Sequence, residues 1–451
     1  MIHKQVINHR QIAWLVFSLL MTGMMISFFR AVIQVAKMDA WFSQIVPACY
    51  AILVAYVLSE LVHAYPGKNL FEIMFIICGK WIGGFINMII LFYVWMILAL
   101  DIKGAADFLR ISLLPHTPLE IILFVFVLLL MYYGKTSLEV AARVNEIYFP
   151  AYFIMCFLLY FLLMNEYSIE RLEPILSASL ERIFVSNLLP IGVYGNILLF
   201  GAFLHASSES RLMFAAMKHG IMIVCLTTTI IVLILLGVMG HIIAGRLNFP
   251  IYILVQQIHL TDFLDRVEMV LFSMWFPVFS IKVIVAYLAF LVGVGSFGGQ
   301  MHYNTYNAPA GCFMVVTSLL AFPKVSDIDQ FLSYSFTLYV LIFQVPLLLF
   351  LFIAARRKKQ KESEILIPKG TKLHRFFRLM VWGGIISIAG CFLTILIGDK
   401  IGDKSPAAGI ATAIIYFVFL VIGALASYGE MQALNHGKHR LERSTQQEDS
   451  R

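Results

Sequence analysis

The chain alternates long apolar runs with short polar connectors, and the runs are too long to be one face of a soluble helix. A membrane-spanning helix needs about 20 predominantly apolar residues. Such runs fall near 11–36, 41–63, 72–100, 118–134, 147–165, 180–207, 219–240, 268–293, 309–323, 333–355, 376–398 and 407–428. The pattern predicts an all-α integral membrane protein of twelve spans, the ninth short and bounded by Pro309 and Pro323. Residues 1–355 form a ten-span unit, 356–375 a basic linker, 376–428 a two-span appendix and 429–451 a charged tail whose composition predicts disorder. At the boundaries, Thr117-Pro118-Leu119-Glu120 reads as a capping box with proline at the first helical position of span four. Asp39 is a candidate cap for span two, with Trp41 at the membrane interface.

Two spans are interrupted by glycine near their middles. Span one carries Thr22-Gly23 between Met21 and Met24, and span six carries Pro190-Ile191-Gly192-Val193-Tyr194-Gly195-Asn196. They open the first and second sets of five spans, and an odd number of spans per set forces the sets into opposite orientations. Paired interruptions in an inverted five-plus-five repeat point to a transporter-type binding site. A broken helix leaves N–H and C=O groups without partners, which lipid tolerates only around a polar cavity. The outer half of span one would then offer N–H donors to a carboxylate, and the carbonyls of Pro190 and Ile191 would accept from an ammonium group. The plain alternative is close helix packing at glycine; Pro190 and Asn196 favour the cavity. The two halves show no sequence similarity, so the repeat rests on hydropathy.

Lys282 lies in the middle of span eight, too deep for easy snorkelling, where an ionisable group costs a few kcal/mol and is functional by default. It should face the cavity, either as a fixed positive charge in place of a bound cation or as a group that changes protonation. The alternative is a structural lysine bonded to backbone carbonyls. Trp275, Phe276 and Ser280 could share its face, and Tyr93 and Trp95 in span three could line a pocket or simply pack. The candidate ligand-binding set is Thr22, Gly23, Tyr93, Gly192, Tyr194, Gly195, Asn196 and Lys282.

Other polar positions read as structural. Arg30, near the end of its span, is expected to snorkel, and His205, His241, His259 and His302 sit at span ends or in loops. Residues 293–299 are glycine-rich but lack the strand and the Lys-Ser/Thr of a phosphate loop, so they are expected to be a flexible linker. Residues 249–266, with Asp262, Asp265 and Arg266, suggest an amphipathic outer helix that is either a lid or a connector.

Composition agrees with lipid as the solvent: of 451 residues, 61% are hydrophobic and 13% charged. A net charge of +7 would suit nucleic acid, but the basic residues sit in short loops and one cluster, so no nucleic-acid partner is expected. Cys49, Cys78, Cys156, Cys225, Cys312 and Cys391 fall singly in apolar segments, supporting neither a disulfide framework nor a zinc site. No nucleophile–base set stands out, so neither an enzyme nor a cofactor is expected. The N-terminal apolar run is too long for a cleavable signal. Placing both termini in the cytoplasm puts the basic residues about two to one on that side. Nine of them, from Arg356 to Arg378, carry most of that bias.

Several ordered motifs resemble a known family. They are Asp39-Ala40-Trp41, Tyr65-Pro66-Gly67-Lys68-Asn69-Leu70, Gly79-Lys80-Trp81, Thr117-Pro118-Leu119-Glu120, Glu139 to Glu146 and Leu172-Glu173-Pro174-Ile175-Leu176. Phe249-Pro250 and Asp262-Phe263-Leu264-Asp265-Arg266 continue the series. Over residues 8–355 the chain is similar to the B subunit of bacterial spore germinant receptors, a branch of the amino acid–polyamine–organocation superfamily. The resemblance implies ten spans in two inverted repeats and recognition of a germinant, often an amino acid, at the inner spore membrane. It also implies assembly with the receptor's A subunit and lipoprotein C subunit, and it places spans one, six and eight with Lys282 in the ligand region. Two features depart from the family pattern. Asn196 stands where the family usually has Glu after the span-six glycine, and the two spans after residue 355 are generally absent. The expected function is a germinant-sensing membrane subunit; the alternatives are a proton-coupled amino-acid transporter and a scaffold that binds no ligand.

Overall fold

The computed structural model of the protein describes residues 7–24, 28–206, 209–258, 267–298, 303–358, 367, 370–401 and 406–449. The described residues are helical with short turns. Span one is split into α1 (His9–Met24) and α2 (Phe28–Ala36), the latter continuing into a 3-10 turn at Lys37–Phe42. The two arms meet at 69°. Spans two to five are α3 (Ile45–Ala64), α4 (Leu70–Ser112), α5 (Leu119–Tyr133) and α6 (Leu138–Leu162). Span six is built from α7 (Leu180–Leu188), α8 (Ile191–Tyr194) and a 3-10 stretch at Gly195–Ala206. Then follow α9 (Ser210–Ala244), the short α10 (Pro250–Gln256), α11 (Val267–Phe297), α12 (Asn307–Ala321) and α13 (Val325–Gln330). A π-helical turn at Phe331–Ser335 joins α13 to α14 (Phe336–Arg357), and α15 (Lys372–Ile401) and α16 (Pro406–Asp449) complete the chain. Among the described residues, nine helices are long and apolar enough to cross a membrane, or ten with the bent first pair as one span.

The interior is packed mainly by α1, α9 and α11, whose surfaces are buried on most sides. Helices α5, α14, α15 and α16 keep a stripe of large apolar residues exposed, such as Phe124, Ile342, Trp382 and Ile414, as expected of surfaces facing acyl chains.

Several boundary expectations change. Span three does not stop at Leu100: α4 continues through Asp101, Lys103 and Asp107, all buried, to Ser112. The fall in hydropathy there marks polar groups turned into the bundle. Asp39 does not cap span two. Its carboxylate accepts from the backbone N–H groups of Leu176 (2.6 Å) and Ala178 (2.9 Å), tying the start of the second repeat to the first. Helix α5 starts at Leu119, with Pro118 as its cap residue and no side-chain cap. The glycine run continues α11 as helix through Phe297, and Gly293 lets the helix approach Leu91 and Phe71. The tail expected to be disordered continues α16 as helix to Asp449, burying Glu430, Met431, Ala433 and Leu434 against the bundle. His259, His302, Asp262, Asp265 and Arg266 lie outside the described residues.

Candidate functional site

Lys282, on α11, donates to Asp101 Oδ1 of α4 at 2.7 Å. Both are deeply buried, at 3% and 9% exposure. The lysine reaches the carboxylate because Gly23, the penultimate residue of α1, has no side chain: a methyl group there would collide with the ammonium. Lys282 Nζ also lies 5.8 Å from the Phe279 ring centroid. Asp101 Oδ2 has no hydrogen-bond partner among the described residues. An ionised carboxylate buried with one oxygen unsatisfied is costly, so the pair retains capacity for a further donor. An ammonium carries three donors, and Asp101 Oδ1 takes one.

The pair borders a cavity of about 30 Å³ lined by the broken span one, span three, span six and the π-helical turn before α14. A polar cavity needs about 10–15 Å³ to hold one water, so this space accommodates a water or two. A larger ligand would require the walls to part. Besides Gly23, Asp101 and Lys282, the lining includes Asn196, Val193 and Phe336. The π turn at 331–335 places Leu332 on the same wall, in keeping with the tendency of such turns to occur at functional sites.

The eight candidates divide. Gly23, Asn196 and Lys282 meet at the cavity, and Tyr93 stands one step behind, its hydroxyl donating to Asn196 Oδ1 at 3.2 Å. Thr22 lies beside the break; its hydroxyl donates to Ser18 O and its carbonyl accepts from Trp275 Nε1 at 3.3 Å. Gly192 and Gly195 face α14, where a methyl would lie 2.8 Å from Thr337 Oγ1 or from Val340 Cγ1, so they serve close packing. Tyr194 turns away, its hydroxyl 3.4 Å from Gln44 Oε1.

Span six is distorted rather than opened. Pro190 O accepts from Tyr194 N, and Ile191 O from Gly195 N, so neither carbonyl expected to receive an ammonium group is free. Side chains of span ten satisfy the irregular part: Thr337 Oγ1 donates to Leu189 O (2.6 Å) and Gln344 Nε2 to Gly195 O (3.2 Å). Gln344 Oε1 in turn accepts from Tyr50. Arg30 does not snorkel. It pairs with Asp329 at 2.9 Å and donates to Asn248 Oδ1 at 2.7 Å, over a small space that shares Gly104 and Ile328 with the main cavity.

Asp101 is the residue of this cavity that hydropathy conceals, since it follows the apolar run of span three. A signal existed: Tyr93, Ile97 and Asp101 fall at i, i+4 and i+8 on one helix face.

Residues 6–326 match the family described as "Spore germination protein". The chain is 24% identical over 331 residues to spore germination protein A2 of Bacillus subtilis strain 168, covering 71% of this chain and 87% of that protein. It is 23% identical over 342 residues to spore germination protein KB of the same organism, covering 73% and 90%. In structure it is similar to Mhp1, a nucleobase-cation-symport-1 family transporter in a closed conformation with bromovinylhydantoin bound. The TM-score is 0.55 at 11% identity, with 97% of each chain covered. That likeness shows the fold, the inverted five-plus-five repeat of this transporter class. The neighbours in family and fold are permease-like proteins.

Proposed function

The chain belongs to the spore germination protein family, and on that premise we propose that it is the ligand-sensing, permease-fold subunit of a germination receptor. Its ligand is a small polar molecule, an amino acid by the family's implication, taken between spans one, three, six and eight. Binding favours one arrangement of the two repeats over another, and the receptor's A and C subunits read the change. The protein resides in the inner spore membrane with both termini cytoplasmic, in line with the basic cluster at Arg356 to Arg378.

The observation carrying this reading is the Asp101–Lys282 pair: two opposite charges, one carboxylate oxygen without a partner among the described residues, at the edge of a small cavity beside a broken helix. A ligand bearing both charges can replace each charge's partner with its own, which gives it the differential contact with two states that a switch needs. A panel of amino acids in a thermal-shift assay on the purified protein tests it. At least one should stabilise the wild type and not Lys282→Met; a panel without a stabilising compound argues for the scaffold. Uptake of that compound into proteoliposomes separates sensor from proton-coupled transporter, because a sensor binds its ligand without concentrating it.

A further inference from the structure

The family match ends at residue 326, and the ligand reading leaves α15 and α16 without a role. Helix α16 packs along span seven (α9), and α15 packs against α16. Glu209 Oε1, just before α9, pairs with Lys438 Nζ at 2.8 Å, and Lys218 Nζ with Glu430 Oε2 at 2.7 Å. His219 Nδ1 lies 3.1 Å from Ser427 Oγ. As residue number rises along α9 it falls along α16, so the helices run antiparallel in one register. The step from Glu430 to Lys438 is about 12 Å at the helical rise, close to the step from Lys218 back to Glu209. Farther along, Gly423 meets Met222, and Tyr416 packs edge-on against Trp41 and Phe42. Lys218 and Glu430 are 7% and 5% exposed. Without α16 this buried lysine would lose its carboxylate partner.

The fastened part of α16 extends beyond its apolar portion to the face that carries both chain ends. There Asn435 and Lys438 wall a cavity of about 360 Å³ together with Asn8, Ile12, Glu139 and Met213. Helix α1 leads from Ile12 in this vestibule to Gly23 in the ligand cavity, about 16 Å away along its axis. Widening the vestibule therefore means moving the start of α1 away from α9 and α16.

We propose that the C-terminal helix is a strap docked on span seven that holds the inner half of span one in place. Lys218–Glu430 is its buried fastener and Glu209–Lys438 its outer one. This goes beyond the ligand reading and is tested without a ligand.

Full-length Ile12→Cys protein in nanodiscs, where both faces meet the reagent, is labelled with a polar maleimide, and the rate is read at that position by mass spectrometry. Glu430→Gln should raise the rate by about tenfold, because it strands a buried lysine. The exchange Lys218→Glu with Glu430→Lys should return the rate to the starting value. Glu209→Gln, at the more exposed pair, should raise it by about threefold, and this variant decides the matter if Glu430→Gln does not fold. Unchanged labelling in Glu209→Gln and in any folded Glu430→Gln overturns the proposal, as does a rise that the charge exchange does not reverse.

Discussion

Removing one member of the Asp101–Lys282 pair should cost far more than removing both. At 2.7 Å and an effective dielectric constant near 20, the attraction is about 6 kcal/mol. Desolvation of two groups at 9% and 3% exposure offsets most of that, leaving a small net value for the intact pair. Lys282→Met alone strands a buried carboxylate, and Asp101→Leu alone strands a buried ammonium; each should cost about 3–5 kcal/mol. The double variant strands neither and should unfold within about 1 kcal/mol of the wild type. The four-membered cycle then returns a coupling of about 5 kcal/mol or more. Denaturant titration of the purified proteins in mixed micelles, followed by tryptophan fluorescence, measures it. The same double variant should bind no germinant, which separates the pair's structural role from its ligand role. Additive losses in the double variant would refute the reasoning, and so would ligand affinity at the wild-type value.

Further outcomes follow from the same contacts. Gly23→Ala drives a methyl into the Lys282 ammonium and should cost about 1–3 kcal/mol in the wild type; a loss of the same size in a Lys282→Met background would remove Lys282 as the cause. Gln344→Leu deprives Gly195 O and the Tyr50 hydroxyl of partners inside the bundle. It should lower stability by about 1–3 kcal/mol and weaken the ligand response by loosening span six, as read by thermal unfolding with and without ligand. Arg30→Gln releases Asp329 and Asn248 at the space beside the cavity. An Ile328→Cys reporter should then react faster with maleimide, and an unchanged rate would show that the pair does not restrict access.

Hydropathy made the helical plan legible because lipid imposes length and apolarity on each span independently of its neighbours. It placed the break in span one only to within a few residues: Thr22 and Gly23 are still helical at the end of α1, and the 69° bend between α1 and α2 falls after them. It misjudged span six. Pro190 and the glycines do distort the helix, but Thr337 and Gln344 absorb the consequence, and contacts made 148 or 149 residues away in the chain leave no local trace. Asp101 was hidden for the opposite reason: its charge looked like the end of a span, because hydropathy does not distinguish a polar group facing a cavity from one facing water. Lys282 was visible because it is flanked on both sides by apolar turns, although its partner was not. The role of α16 was equally hidden, since the sequence presents Glu430 and Lys438 as part of a charged tail, and only their register against Lys218 and Glu209 joins them to the core.

The central claim is that a small polar ligand enters the space between Asp101, Lys282, Asn196 and Gly23. Photo-crosslinking tests it most directly, using a diazirine analogue of whichever amino acid stabilises the protein, with the adducts mapped by peptide mass spectrometry. The account predicts adducts within 20–24, 93–104, 190–197, 278–286 or 328–336 that excess unlabelled ligand abolishes. Competed adducts confined to other segments, or none in a protein that binds the analogue, would contradict it.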